Sequence, residues 1–178
     1  MPQTLRYALW LTPRGPLAEK LGQLIADLAA RDGAPIFEPH ITLLGGLSGR
    51  QSELTTRTRA LACELKPFEI ALTDTDYLDE YFRCLFLDVA PGDDIMAAHA
   101  LAKQLFGVSR DLVFRPHLSL LYANLGAQQK EKILDHIGRR FERSFLAERV
   151  ALYCIEGPPP DWYCVKRFPL TGPGKAHD

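Results

Sequence analysis

Phe37-Glu38-Pro39-His40-Ile41-Thr42-Leu43-Leu44 returns 77 positions later (40 to 117) as Phe114-Arg115-Pro116-His117-Leu118-Ser119-Leu120-Leu121. Each copy is a short apolar run introduced by proline. Proline is tolerated at the start of a strand and biases the residue before it toward an extended backbone, so both copies read as strands. Side chains alternate between the faces of a strand. His40 and Thr42 therefore share one face, with Ile41 and Leu43 on the other. His117 and Ser119 are related in the same way, against Leu118 and Leu120. Each copy offers an imidazole beside a hydroxyl, backed by apolar side chains.

The same offset organises the chain outward from these segments, as a repeat should. Arg6 to Leu11 (RYALWL) reads as a strand and lands on Arg83 to Asp88 (RCLFLD), within the apolar run Cys84 to Val89. An amphipathic helix follows, with Leu17, Leu21, Leu24, Ile25 and Leu28 on one face. Its counterpart carries Ile95, Ala98, Leu101, Ala102, Leu105 and Phe106 after Pro91 and Gly92. After each histidine segment comes a second helix. One spans about 51–64 with Ser52 as its cap; the other carries Ile133, Leu134, Ile137 and Phe141. Strands close the halves at about 68–77 and 145–155. Leu78-Asp79-Glu80, between apolar runs, reads as a hairpin joining them. A last strand, 162–168, follows Gly157-Pro158-Pro159-Pro160, and 171–178 reads as a frayed tail. The expectation is a single bilobal α+β domain over 1–178, with repeat halves at about 6–77 and 83–155 and βαβαβ duplicated plus one strand.

The bulk properties fit one such domain. The chain has 178 residues, 47% hydrophobic and 24% charged, with formal net charge −1. The sequence pI is near 6.5. A grip on long nucleic acid calls for a basic stripe and a high pI, so a small anionic ligand fits better. No apolar run approaches membrane-spanning length, and residues 1–11 lack the pattern of a secretory signal. Cys63, Cys84, Cys154 and Cys164 form no CxxC pair and read as small buried hydrophobes. A cytoplasmic, reduced, monomeric protein is expected.

The paired segments suit displacement at phosphorus, where entering and leaving oxygens stand roughly in line on opposite sides. Two histidines from related strands would flank the phosphorus, one taking a proton from water and the other giving one to the departing oxygen. An unperturbed pKa near ~6.5 equips imidazole for both roles. Thr42 and Ser119 would donate hydrogen bonds to the non-bridging oxygens. Glu38 shares parity with His40, but no HxH, HxD or HExxH accompanies it, so neither a metal nor a cofactor is expected. Trp10 reads equally as a platform for a nucleobase at the groove edge and as core. Tyr81 and Phe82, beside the inter-lobe turn, read first as packing and second as groove lining; Arg115 and Lys166 read first as solvated surface and second as cations that neutralise phosphate. His99 and His136 in helices, and His177 in the tail, are set aside.

On these motifs the sequence resembles the two-histidine (2H) phosphoesterase superfamily. Its signature is a pair of H-x-[ST]-x motifs on a bilobal, pseudo-symmetric fold of the LigT type with a central groove. Within it the chain is most similar to cyclic phosphodiesterases that open ADP-ribose 1″,2″-cyclic phosphate and nucleoside 2′,3′-cyclic phosphates. The likeness extends to Tyr7–Pro13, Phe82–Leu87 and Arg115–Asn124. It implies His40 and His117 as the catalytic pair, Thr42 and Ser119 as phosphate ligands, and Tyr122 in substrate binding. Tyr122 lies five residues past His117, so it reaches the groove only through a bulge or the end of the strand. The substrate implied is a small cyclic-phosphate nucleotide. Two further readings stand beside it: an RNA 2′,3′-cyclic phosphodiesterase acting on RNA ends, and a nucleotide-binding module without catalysis.

Overall fold

A computed structural model describes residues 5–110 and 113–173; of the expected tail, 174–178 lie outside the described residues, as does His177. The chain runs β1 (Arg6–Leu11), α1 (Gly15–Asp32), β2 (Ile41–Ser48), α2 (Gln51–Glu64), β3 (Phe68–Asp76), β4 (Leu85–Val89), α3 (Asp93–Phe106), β5 (His117–Leu121), α4 (Ala127–Ile137), β6 (Arg140–Ala147), β7 (Arg149–Cys154) and β8 (Tyr163–Pro169). Short 3₁₀ turns at Tyr81–Arg83 and Pro159–Asp161 precede β4 and β8.

The strands form one sheet in the order β6-β3-β4-β5-β2-β1-β7-β8. All the strand pairs are antiparallel. Read inward from its two ends, the order shows the pseudo-two-fold directly: β2 faces β5 at the centre, then β1 answers β4, β7 answers β3, and β8 answers β6. The two histidine strands meet through a single register pair, Ile41 with Leu118. The sequence halves are interleaved rather than side by side. β3 of the first half pairs with β4 of the second, and β7 of the second pairs with β1 of the first. Helices cross over too, α1 lying against β5 and α3 against β2.

Alternation assigns the faces. Tyr7, Leu9 and Leu11 of β1 join Ile41, Leu43, Leu118 and Leu120 in the main core beneath the helices. Ala8 and Trp10 point the other way, into a small cluster with Ala151 and Tyr153. Each fully buried Leu or Ile contributes roughly 1.5–3 kcal/mol, so this alternation fixes the register of the histidine strands.

Three local expectations are corrected. Residues 145–155 are not one strand: the chain breaks at Glu148, and β6 and β7 pair with β3 and β1 respectively. Phe141 belongs to β6, because α4 stops at Ile137 where Gly138 takes φ 94°. Ser52 is inside the first turn of α2; Arg50 holds the cap position, without a side-chain capping bond. Among the cysteines, Cys84 and Cys154 are buried, but Cys63 is exposed.

Candidate active site

The proline-led approach to each histidine strand brings the backbone carbonyl two residues upstream against the imidazole. His40 Nδ1–H donates to the Glu38 carbonyl at 2.6 Å, and His117 Nδ1–H to the Arg115 carbonyl at 2.9 Å. A carbonyl only accepts, so both rings are held with the proton on Nδ1 and with Nε2 as the free nitrogen. His40 and His117 line one cavity of about 330 Å³, with Thr42, Ser119 and Tyr122 on its wall. The imidazole–hydroxyl pairs of the two strands thus meet in one place.

The two rings sit in unlike surroundings. His40 is buried, and its ring stacks on Trp10 at 3.5 Å between centroids and 8° between planes. Burial pushes its pKa down to about 4, the Glu38 carbonyl opposes that shift, and His117 adds a small repulsion. His117 is half-buried, with the Phe86 ring edge-on at 5.3 Å. Its pKa is also lowered, first by burial and then by the positive charges of Arg83 and Arg115, while its carbonyl partner and Asp88 oppose the shift.

Ser119 is buried and donates its hydroxyl proton to the Phe82 carbonyl at 3.0 Å. Near the end of β5 the register slips: Ser119 faces Phe86 but Leu121 faces Leu85, leaving Leu120 extra. This bulge shifts the parity so that Tyr122, just past the strand, turns into the cavity. Burial raises its pKa. Trp10 does not offer a face to a ligand: His40 covers one side and Tyr153 lies stacked at 3.7 Å from the Trp10 centroid. Only its edge reaches the cavity. The open aromatic rim is made instead by Phe82 and Trp162, 6.0 Å apart at 29°. Phe82 is 52% exposed, far from the packing role expected of it.

Two arginines on the wall went unremarked in the motif reading. Arg6 and Arg83 both line the cavity, and they are counterparts under the 77-residue offset (6 to 83). The aligned strands RYALWL and RCLFLD already carried that signal. Arg83 is held by Glu80 through bonds of 2.8 and 2.6 Å, and Arg6 by Glu156 at 3.4 Å. Arg115 is no loose surface cation: it is tied to Asp88 and Asp76. His99 pins α3 to β2 through the Leu43 carbonyl at 2.7 Å. It also lines a second cavity, of about 340 Å³, with Lys103 and Arg110; Thr42, Gly45, Arg83 and His117 are common to both cavities. Among the described residues no cluster of three or more His, Cys, Asp or Glu side chains is placed to hold a metal ion, and no helix is long and apolar enough to cross a membrane.

Comparison with known proteins gives consistent results. The family model of the 2′-5′ RNA ligase superfamily matches residues 7–158. A cyclic phosphodiesterase of Arabidopsis thaliana is 26% identical over 125 residues, covering 70% of this chain and 69% of the relative. A 2′,3′-cyclic-nucleotide 3′-phosphodiesterase of Yarrowia lipolytica is 26% identical over 144 residues, covering 75% of this chain and 64% of the relative. The chain thus spans about two thirds of the length of each. Among solved structures, TT0787 of Thermus thermophilus superposes with a TM-score of 0.66 at 20% identity, covering 94% of this chain and 99% of that one. E. coli LigT complexed with 3′-AMP gives 0.66 at 15% identity, covering 95% and 99%. These neighbours bear out the α+β fold of the LigT type.

Proposed function

The chain belongs to the 2′-5′ RNA ligase superfamily, and on that premise we propose that it hydrolyses small cyclic phosphodiesters of nucleotides to monophosphates by two-histidine acid–base catalysis. The observation that carries this reading is the shared cavity. Two imidazoles with Nε2 free, each beside a hydroxyl, line one space of about 330 Å³. The names of the two curated relatives support the same chemistry.

In the proposed reaction a cyclic phosphate lies between the rings. His40, whose pKa burial holds near 4, stays neutral and takes a proton from water on Nε2. The water oxygen bonds to phosphorus as the bond to one ring-ester oxygen breaks. His117, the less buried ring, gives that oxygen its proton. One water is consumed, one P–O bond is exchanged for another, and the protons on the two rings re-equilibrate with solvent. Thr42 and Ser119 donate to the non-bridging oxygens. For this the Ser119 hydroxyl turns from the Phe82 carbonyl toward phosphate. Arg83 and Arg6, both on the cavity wall, add positive charge.

The nucleobase is assigned to the rim, between Phe82 and Trp162, rather than to Trp10. A base inserted between two rings needs a carbon contact of about 3.5 Å on each side, or roughly 7 Å in all. With centroids 6.0 Å apart and planes 29° apart, the two rings have to move apart to admit a base, which the exposed Phe82 permits.

A product assay on a panel of 2′,3′- and 1″,2″-cyclic phosphates tests the proposal. His40→Ala and His117→Ala should each lower kcat by roughly 10²–10⁴-fold, the usual worth of a positioned acid or base. Full turnover in either variant overturns it. A second reading, action on the 2′,3′-cyclic phosphate ends of RNA, draws on the adjoining cavity with Lys103 and Arg110. Faster turnover of an RNA oligomer than of the mononucleotide would favour it.

A further inference from the structure

The residues two places before the histidines, Glu38 and Arg115, are counterparts under the 77-residue offset (38 to 115) and carry opposite charge. Neither side chain hangs free. The Glu38 carboxylate accepts from Arg167 Nη2 at 2.9 and 3.0 Å and from the hydroxyl of Tyr153. Arg167 Nη2 also donates to the Tyr153 oxygen at 2.6 Å. On the other side, Arg115 donates in two-pronged fashion to Asp88, at 2.9 and 2.7 Å, and to Asp76 at 2.6 Å. Tyr153 and Asp76 are themselves counterparts under the same offset (76 to 153). The duplicated architecture therefore holds the same backbone place twice, once by an acid gripped by donors and once by a base gripped by acceptors.

What that place does is specific. Its carbonyl is the acceptor for the Nδ1–H of the histidine that follows. A residue clamped at its side chain has little freedom to swing its carbonyl, and the carbonyl decides which ring nitrogen carries the proton. Partners of this kind, behind the residue that does the chemistry, fix tautomer and ring orientation. The anchors also back the rings directly: Tyr153 stacks on Trp10, which stacks on His40, and Phe86 lies between Arg115, at 5.0 Å, and His117, at 5.3 Å.

We infer that Glu38 and Arg115 are positioning residues for His40 and His117, each locking the Nδ1–H tautomer through its own carbonyl by means of an anchored side chain. The effect on turnover rests on the proposed catalytic reading; the effect on the tautomer does not.

The test is ¹⁵N NMR of the imidazoles in the full chain, with steady-state kinetics on a 2′,3′-cyclic mononucleotide. In the parent protein both rings should report Nδ1–H. In Glu38→Ala, His40 should become a mixture of tautomers while His117 is unchanged, and Arg115→Ala should do the reverse. With each, kcat should fall roughly 10- to 100-fold and KM should move little. Glu38→Gln, which keeps an acceptor for Arg167 and Tyr153, should restore the His40 tautomer and most of the rate. If Glu38→Ala fails to fold, Tyr153→Phe, which keeps the ring on Trp10, takes its place with a smaller shift in the same direction. Folded variants with both rings still purely Nδ1–H overturn the inference, whatever their rates. Absence of turnover in the parent protein strikes at the catalytic reading, and the tautomer comparison still decides this one.

Discussion

At the scale of single residues, the burial of His40 has two consequences that can be measured. Its folded pKa, about 4, lies below the ordinary 6.5. Between those values the unfolded chain binds a proton that the folded chain does not, so stability must fall as pH drops from about 6.5 to about 4. The full span amounts to roughly 3 kcal/mol. Urea unfolding at pH 7 and pH 4.5 should show most of that loss, and His40→Phe, which keeps a ring on Trp10, should flatten it. The second consequence concerns rate. Protonating His40 abolishes the base, and deprotonating His117, whose pKa is also lowered, abolishes the acid. The profile of kcat/KM, which reports the free protein, should be bell-shaped with its maximum on the acid side of about 6.5; a maximum above pH 8 contradicts the assignment. The sequence already held the paired histidines and hydroxyls, because a strand's period of two fixes their parity. It could not show that Trp10 has both faces covered, since that depends on Tyr153, a residue of another strand more than a hundred positions away.

At the scale of elements, the connection from β3 to β4 carries Phe82 and Arg83 into the site, and its fastening is an unusual lysine. Lys130 of α4 is 2% exposed and reaches the Leu78 carbonyl at 2.9 Å and Asp79 at 2.6 Å. Asp79 is open to solvent, so removing the lysine leaves no buried charge without its partner. What is lost is the hydrogen bond to the Leu78 carbonyl, a net contribution of about 1 kcal/mol, partly offset by the desolvation cost of the ammonium that methionine does not carry. Lys130→Met should therefore change unfolding free energy by less than about 1 kcal/mol, yet raise KM several-fold by loosening the turn that carries Phe82. A melting curve and a substrate titration on the same sample check both halves. Element boundaries were legible where the pattern has an unambiguous stop. β1 and α2 fall where the apolar spacing places them. The run 145–155 was not, because no glycine or proline marks the break at Glu148. Apolar residues flank Glu148-Arg149 on both sides, and two charges alone do not distinguish the solvent face of one strand from a corner between two; here β6 and β7 pair near opposite ends of the sheet.

At the scale of the whole molecule, the hairpin read at Leu78-Asp79-Glu80 gave the pairing of β3 with β4 across the halves, but the 77-residue repeat did not show that β7 returns to β1, since equal spacing says nothing about which copies of a strand pair. The exchange of β3 and β7 between halves, and of α1 and α3 across the histidine strands, predicts mutual dependence. A fragment ending near residue 79 exposes the edge of β1 that β7 covers, and the complementary fragment lacks the partner that β3 gives to β4. Neither should fold alone. Mixed, they should regain the circular dichroism of the parent, and the intact chain should unfold in one transition. Independent folding of either fragment would contradict the exchange.

The lone register pair of Ile41 with Leu118 gives the sheet a rivet rather than a seam. His40 stands one residue before the first member and His117 one before the second. When two blades turn about a rivet, whatever lies beside it scarcely travels while the tips sweep widely. Any flexing of the four strands on one side against the four on the other is therefore spent on the outer strands. On the proposed reading, such flexing predicts that substrates of different girth change KM more than kcat, because the two imidazoles beside the rivet keep their spacing.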